Sequence, residues 1–265
     1  LGLVGSEMCI RDSYTVIPVQ EVVTMGVRRW LLIVLCALAT QILADEAPVP
    51  GKIMLASEQW NDYTNKDGSG LAWDVLRKIF EPVGITVQTR SVPYTRSVGL
   101  AQRGEVDGWV GSYRDEASGV LYPHWNFDSD HIYALGLAAT PAPSIATLGN
   151  YRLAWVRGYK YDEYLPNVRR FNPIERRSGI LPMLQHGRAD FYIDALTEAK
   201  YVLSQSDDPA QFKLTHIAEL PLYIGFADTE RGRALMGVYE QRMATLVKSG
   251  ELKAIFEHWK QPYPF

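Results

Sequence analysis

A short motif that occurs twice sets the tightest limit on how this chain can fold. Leu100, Gly104 and Asp107 lead into Gly108-Trp109-Val110-Gly111, and Leu184, Gly187 and Asp190 lead into Phe191-Tyr192-Ile193. Each copy reads as a helix end, a stopping glycine, two residues, an aspartate and a short apolar run. A glycine just past a helix can take the left-handed conformation that closes it, and the apolar run reads as a buried strand. The two Gly-x-x-Asp steps lie 83 residues apart. Two α/β lobes of similar construction would produce that pattern, and a cleft between lobes is a favoured place for a ligand. Two ordinary helix-to-strand junctions would look the same.

Not all of the 265 residues read as part of that fold. Met25 is followed by Arg28 and Arg29, an apolar stretch over residues 30–43, and Ala44 before Asp45. A basic region, an apolar region and a small residue in that order make a secretory signal. The stretch is short for a membrane span, although an uncleaved anchor is the alternative. Residues 25–44 are expected to be a signal peptide and residues 1–24, which show no sustained periodicity, a leader outside the fold. The expected location is the periplasm. Both cysteines, Cys9 and Cys36, fall in this part, so the chain from Asp45 onward has neither disulfide nor thiol chemistry. From Asp45 the chain carries 24 basic and 27 acidic residues, which points away from nucleic acid and from anionic membrane surfaces.

Hydrophobic periodicity places strands at residues 52–56, 85–89, 109–112, 132–139, 152–156 and 222–226, and helices at 71–80, 94–103, 160–165, 180–185, 229–248 and 251–259. Alternating strands and helices imply mainly parallel sheets with right-handed crossovers. Residues 50–138 are expected to begin a first lobe, 139–221 to form a second, and 222–265 to return and complete the first. Two crossings between lobes would make a two-segment hinge.

This order of elements resembles the family 3 periplasmic solute-binding proteins, the substrate-binding subunits of ABC uptake systems. The resemblance spans about residues 50–262 and rests on local matches: Trp60, Tyr63, Asp67-Gly68 and Gly70 after the first strand; Val92-Pro93-Tyr94 with Arg96 at the second helix; both Gly-x-x-Asp steps, the second as Gly187-Arg188-Ala189-Asp190; Gly158 after a second-lobe strand; and Gly250, Ile255 and Trp259-Lys260 near the end. It implies a two-lobe α/β periplasmic-binding-protein-like fold that closes on a small solute and delivers it to a membrane permease, as a monomer, without cofactor, metal or nucleic acid.

A solute cleft needs aromatic walls and a few fixed polar groups. Trp60, Tyr63 and Tyr94 are the expected walls, with Arg96 and Trp109 beside them. Ser112 and Tyr113 fall at the C-terminal end of a parallel strand, where open α/β sheets bind ligands. Gly158 resembles the family's glycine that presents backbone N–H groups, and those of Tyr159 and Lys160 would open a helix and could hold an anionic group, or simply form an ordinary capped helix start. Two departures from the family bear on the ligand. Arg114 comes early for the arginine that forks onto a ligand carboxylate, and Asp194 stands four rather than five residues after Asp190. A one-residue shift in a strand turns a side chain to the other face, so an ordinary α-amino acid is in doubt as the ligand. The five histidines show no zinc-like spacing, and the arginines at 169, 170, 176 and 177 read as a solvated face. A dehydratase- or lyase-like enzyme on the same fold, with Glu58, Asp115, Glu116 or Asp194 as acid or base, and a solute sensor acting on a membrane partner are the rival functions.

Overall fold

The computed structural model describes residues 51–265; the expected leader and signal peptide lie outside the described residues. The strands are β1 (Lys52–Ser57), β2 (Thr86–Ser91), β3 (Gly108–Ser112), β4 (Val120–Leu121), β5 (Asp128–Leu137), β6 (Leu153–Val156), β7 (Phe171–Ile174), β8 (Phe191–Ala195) and β9 (Phe212–Ala227). The helices are α1 (Leu71–Phe80), α2 (Tyr94–Gln102), α3 (Tyr161–Tyr164), α4 (Ile180–Gln185), α5 (Leu196–Ser204), α6 (Glu230–Ser249) and α7 (Lys253–His258).

The repeated motif does the same physical work twice. Gly104 (φ 68°) and Gly187 (φ 60°) take the left-handed conformation after α2 and α4, and the amides beyond them turn back onto Leu100 and Met183 carbonyls. Asp107 Oδ2 then accepts the Met54 amide at 2.7 Å, and Arg231 Nε donates to Oδ1 at 2.7 Å. Asp190 Oδ2 accepts the Arg152 amide at 2.7 Å, and the Arg152 side chain folds back onto the same carboxylate. In both halves the residue after the aspartate opens a strand paired in parallel, Gly108 beside Leu55 and Phe191 beside Leu153. The aspartate therefore fixes the register of two neighbouring parallel strands at their N-terminal ends.

The strands follow the order β2-β1-β3-β9-β5-β8-β6-β7, with β4 beside β9. The two outer triplets, β2-β1-β3 and β8-β6-β7, are parallel as the alternation implied. Between them run β9 and β5, antiparallel to each other and to their neighbours, so each lobe is a mixed rather than a wholly parallel sheet. The return strand is longer than residues 222–226. It runs 16 residues without a break, pairing with β5 through its first part and with β3 through its last. An exposed Pro221 inside it hid that continuity, because proline in a strand pattern argues against one.

Helix α1 follows its prediction residue for residue, with Leu71, Ala72, Trp73, Val75, Leu76, Ile79 and Phe80 buried. It packs with α6 and the sheet in a core that includes Ile224, Phe226, Leu235, Tyr239 and Met243. The Thr229 hydroxyl caps the first turn of α6 by accepting the Gly232 amide at 2.9 Å. Among the described residues no helix is long and apolar enough to cross a membrane.

Candidate functional site

The C-terminal ends of four parallel strands converge on one cleft. Trp60 and Tyr63 follow β1, Tyr113 and Glu116 follow β3, Tyr159 to Tyr161 follow β6, and Asp194 closes β8. This is where open α/β sheets place ligands, because side chains and loops there are free of crossover packing. Tyr94 opens α2, Glu198 lies in the first turn of α5, and Asp128 to His131 on β5 form the floor. The cavity measures about 80 Å³, against the ~300–1,000 Å³ of pockets for drug-sized ligands. As it stands, the enclosed space holds only a few atoms.

Several bonds cross the cleft. Trp60 Nε1 donates to the Tyr159 hydroxyl at 2.7 Å, an oxygen that Arg177 Nη2, on the same side as Tyr159, also reaches at 2.9 Å. Lys160 Nζ reaches the Glu116 carbonyl at 2.9 Å, and the Tyr164 hydroxyl reaches the Arg114 carbonyl at 3.1 Å. Tyr159 stands edge-on to Tyr94, centroids 5.5 Å apart. Burial raises the pKa of Tyr63, Tyr94, Tyr113, Tyr159 and Tyr161 well above the ordinary tyrosine value, so all five stay neutral donors.

The electrostatic centre is Arg177. Its guanidinium lies 3.1 Å from Asp194, 3.3 Å from Glu198 and 3.5 Å from Glu58. Burial alone would lower its pKa, but the surrounding carboxylates, Asp194 foremost, hold it above the ordinary value. Tyr192 and Tyr161 also donate to Asp194. On β5, Asp128 accepts the Tyr63 hydroxyl and Asp130 the Tyr113 hydroxyl, each at 2.8 Å. Neither aspartate has a cationic partner among the described salt bridges, and burial pushes Asp128 up to about 7 and Asp130 up to about 8. Burial also raises Glu58 and Glu116, and pushes Glu198 to about 7.

Of the binding residues expected from the sequence, Trp60, Tyr63, Tyr94, Tyr113, Tyr159 and Asp194 line the cavity, as does Glu116 of the rival acid–base set. Asp194 reaches it despite its shifted position. The other five do not line it. Trp109 is fully buried, its ring pressed on Gly225, where a Cβ would come within 2.0 Å. Ser112 is buried and its hydroxyl holds Glu116 at 3.1 Å. Arg96 is exposed on α2. Arg114 turns away, donating to the Pro123 and His124 carbonyls and stacking 4.4 Å over Tyr223. Gly158 (φ 95°) faces Thr95 rather than the cavity, and the Tyr159 amide is used by the Val156 carbonyl.

The sequence reading missed Arg177, Glu198, Asp128 and Asp130. Arg177 was hidden in an arginine run whose other three members are indeed exposed. The β5 aspartates were hidden because Asp128-Ser129-Asp130-His131 lacks apolar alternation. The one available signal was their spacing, since residues two apart on a strand share a face. Pairing of β5 with β9 also gathers His131, His216 and Glu219, whose potential ligand atoms lie within 4.8 Å of one another. Sequence spacing could not show that set, because its members come from two strands; a divalent metal would find two nitrogens and one oxygen there.

The fold is that of the periplasmic binding proteins. The chain superposes on the substrate-binding protein of an amino acid ABC transporter with a TM-score of 0.60 at 18% identity, covering 78% of this chain and 98% of that one. It is also similar to a histidine kinase sensor domain that resembles periplasmic binding proteins (TM-score 0.66, 18% identity, 80% and 96% covered). A third similar structure is an ancestral amino-acid-binding protein, described as a precursor of cyclohexadienyl dehydratase (TM-score 0.59, 15% identity, 79% and 95% covered). No family profile and no curated protein matches the sequence.

Proposed function

We propose that this chain is a periplasmic solute-binding protein of family 3, exported through the signal at residues 25–44, which captures a small polar solute between its lobes and hands it to an ABC-type permease. The observation that carries the reading is the cleft itself: aromatic and charged side chains from both lobes and the hinge converge on one cavity at the strand ends. Opening about β5 and β9 admits the solute, and the closed form gains contacts from both lobes. The protein works as a monomer, with lobes 50–138 plus 222–265 and 139–221.

A thermal-shift screen of the purified protein against amino acids, polyamines, sugars, carboxylates and aromatic metabolites tests the reading. A solute that binds only the native state raises Tm by mass action, and Trp60→Ala should abolish the rise. Silence across the panel would refute the binding function. A second reading, a dehydratase- or lyase-like enzyme, is favoured by the raised carboxylates, which supply a protonated acid near neutral pH. Turnover of a bound ligand, lost in Asp130→Asn, would establish it. The likeness to a kinase sensor domain favours a third, signalling role; a solute that binds tightly but whose uptake does not depend on this protein would point there.

A further inference from the structure

The ligand's chemistry can be taken further, on the premise that the cleft binds a solute. Five carboxylates, Glu116, Asp128, Asp130, Asp194 and Glu198, line the cavity against one lysine, Lys160, and behind that lining Arg177 pairs with Glu58, Asp194 and Glu198. Both cations are engaged: Arg177 by three of the carboxylates and Tyr159, and Lys160 by the Glu116 carbonyl and by Glu163 at 3.3 Å. The expected carboxylate-gripping arginine, Arg114, points elsewhere. The start of α5, which could attract an anion, is already met by its own acids: Asp194 accepts the Ala195 amide at 2.9 Å, and Glu198 sits in the first turn.

One group is left open. Glu198 is only 6% exposed and lines the cavity, yet its Oε1 has no hydrogen-bond partner among the described residues. The Asn61 amide favours its ionised form from nearby without completing a hydrogen bond. A buried, unpartnered carboxylate oxygen is costly unless something donates to it. Across the cavity, Asp128 and Asp130 project from the same face of β5, about 7 Å apart along the strand, each held by a tyrosine hydroxyl that leaves capacity for a further donor. Rings of Trp60, Tyr63 and Tyr94 form the adjoining wall, and their faces attract cations.

We propose that the cleft selects an organic cation carrying two or more amino groups and no carboxylate, of the linear diamine or polyamine class, with Asp128, Asp130 and Glu198 receiving its ammonium donors. The raised carboxylates of Asp128 and Glu198 agree with this: in the empty cleft they hold protons near neutral pH, and a cation arriving there displaces them.

Titration calorimetry at pH 7 with 1,4-diaminobutane, spermidine, 1-aminobutane, L-lysine, L-arginine, L-glutamine and butyrate tests the assignment. The diamine and the triamine should bind, the monoamine about tenfold or more weaker, and butyrate not at all, on the scale of losing one charge-assisted contact. Repeating the titration in buffers of different ionisation enthalpy should show proton release on binding. Asp130→Asn and Glu198→Gln should each weaken diamine binding by about tenfold or more while leaving Tm of the free protein nearly unchanged, because each amide keeps the shape of the acid it replaces and Arg177 keeps Asp194 and Glu58. That pairing separates lost recognition from lost folding. An amino acid that binds while the diamines stay silent would overturn the ligand class and leave solute binding intact. Binding of no tested compound, here or in the wider panel, would overturn both.

Discussion

Gly158→Ala is the most informative single substitution, because the structure separates its two effects. An alanine Cβ at 158 would sit 2.5 Å from Thr95 Cγ2, against an optimum of about 3.5–4.0 Å for two carbons. Thr95 belongs to α2 in the first half of the sheet order, and Gly158 follows β6 in the second, so this clash exists only when the lobes are closed. Retreat by χ1 rotation is limited to the second of the two rotamers a threonine samples on a helix. Overpacking of this degree costs about 1–3 kcal/mol, which weighs the equilibrium against closure by about 5- to 150-fold. The left-handed backbone at 158 adds about 1–2 kcal/mol of strain for any L-residue, but open and closed forms share it. Dyes on Lys66→Cys and Gln205→Cys, in a chain that is cysteine-free from residue 45, would read the lobe separation. Gly158→Ala should shift the population toward the long distance. Adding Thr95→Ala should restore the short one while leaving the loss of Tm in place. A distance distribution that Gly158→Ala does not change, or that Thr95→Ala does not restore, would refute the steric argument.

Three further outcomes follow from the charges and bonds described. Arg177→Met leaves Glu58, Asp194 and Glu198 without their shared cation; stranding buried charge costs about 3–5 kcal/mol, so Tm should fall by about 10 °C at the ~2–4 °C per kcal/mol of a domain this size, with Arg177→Lys in between by thermal melting. Asp128 and Asp130 have folded pKa values of about 7 and 8, above those of unfolded aspartate, so the folded state holds extra protons between about pH 4 and 8, and stability should decline as pH rises through that window and level off above it. Melts from pH 4 to 9 should show this slope in the free protein, and Asp128→Asn/Asp130→Asn should flatten it. Asp107→Ala should cost more than Asp190→Ala in urea denaturation, about 1–3 kcal/mol for the former, because Asp107 is the more buried of the two, at 12% side-chain exposure against 24%.

Much of the fold was legible because its elements announce themselves locally. Leu71 to Phe80 carries a helical apolar stripe between Gly70 and Pro82, and the two Gly-x-x-Asp steps mark strand starts by their own capping chemistry. Legibility failed around the cavity and along the two antiparallel strands that join the outer triplets. Strand β5 begins four residues before the apolar run that signals it, and those residues are the acidic floor. Helix α5 begins two residues after Asp194, with Glu198 in the place of an apolar contact. Strand β7 carries Pro173, as an edge strand can. The aromatic walls could be found from residue type and position after a strand. The pairing of Arg177 with three carboxylates could not, because those partners come from two other elements and a distant loop.

The last strand also sets the order in which the molecule can be completed. β3 pairs on one side with β1 but on the other only with the end of β9, Ser112 opposite Tyr223. More than a hundred residues must emerge before that edge is covered, and α6, whose Leu235 and Tyr239 seal the same core, comes later still. Contacts so distant in sequence form slowly, since the loop must close before any of them contributes. The β6-α3-β7-α4-β8 segment, by contrast, can assemble from neighbours alone. The first strands of the described fold are thus the last to be completed, because their exposed edge waits for the end of β9 and for α6.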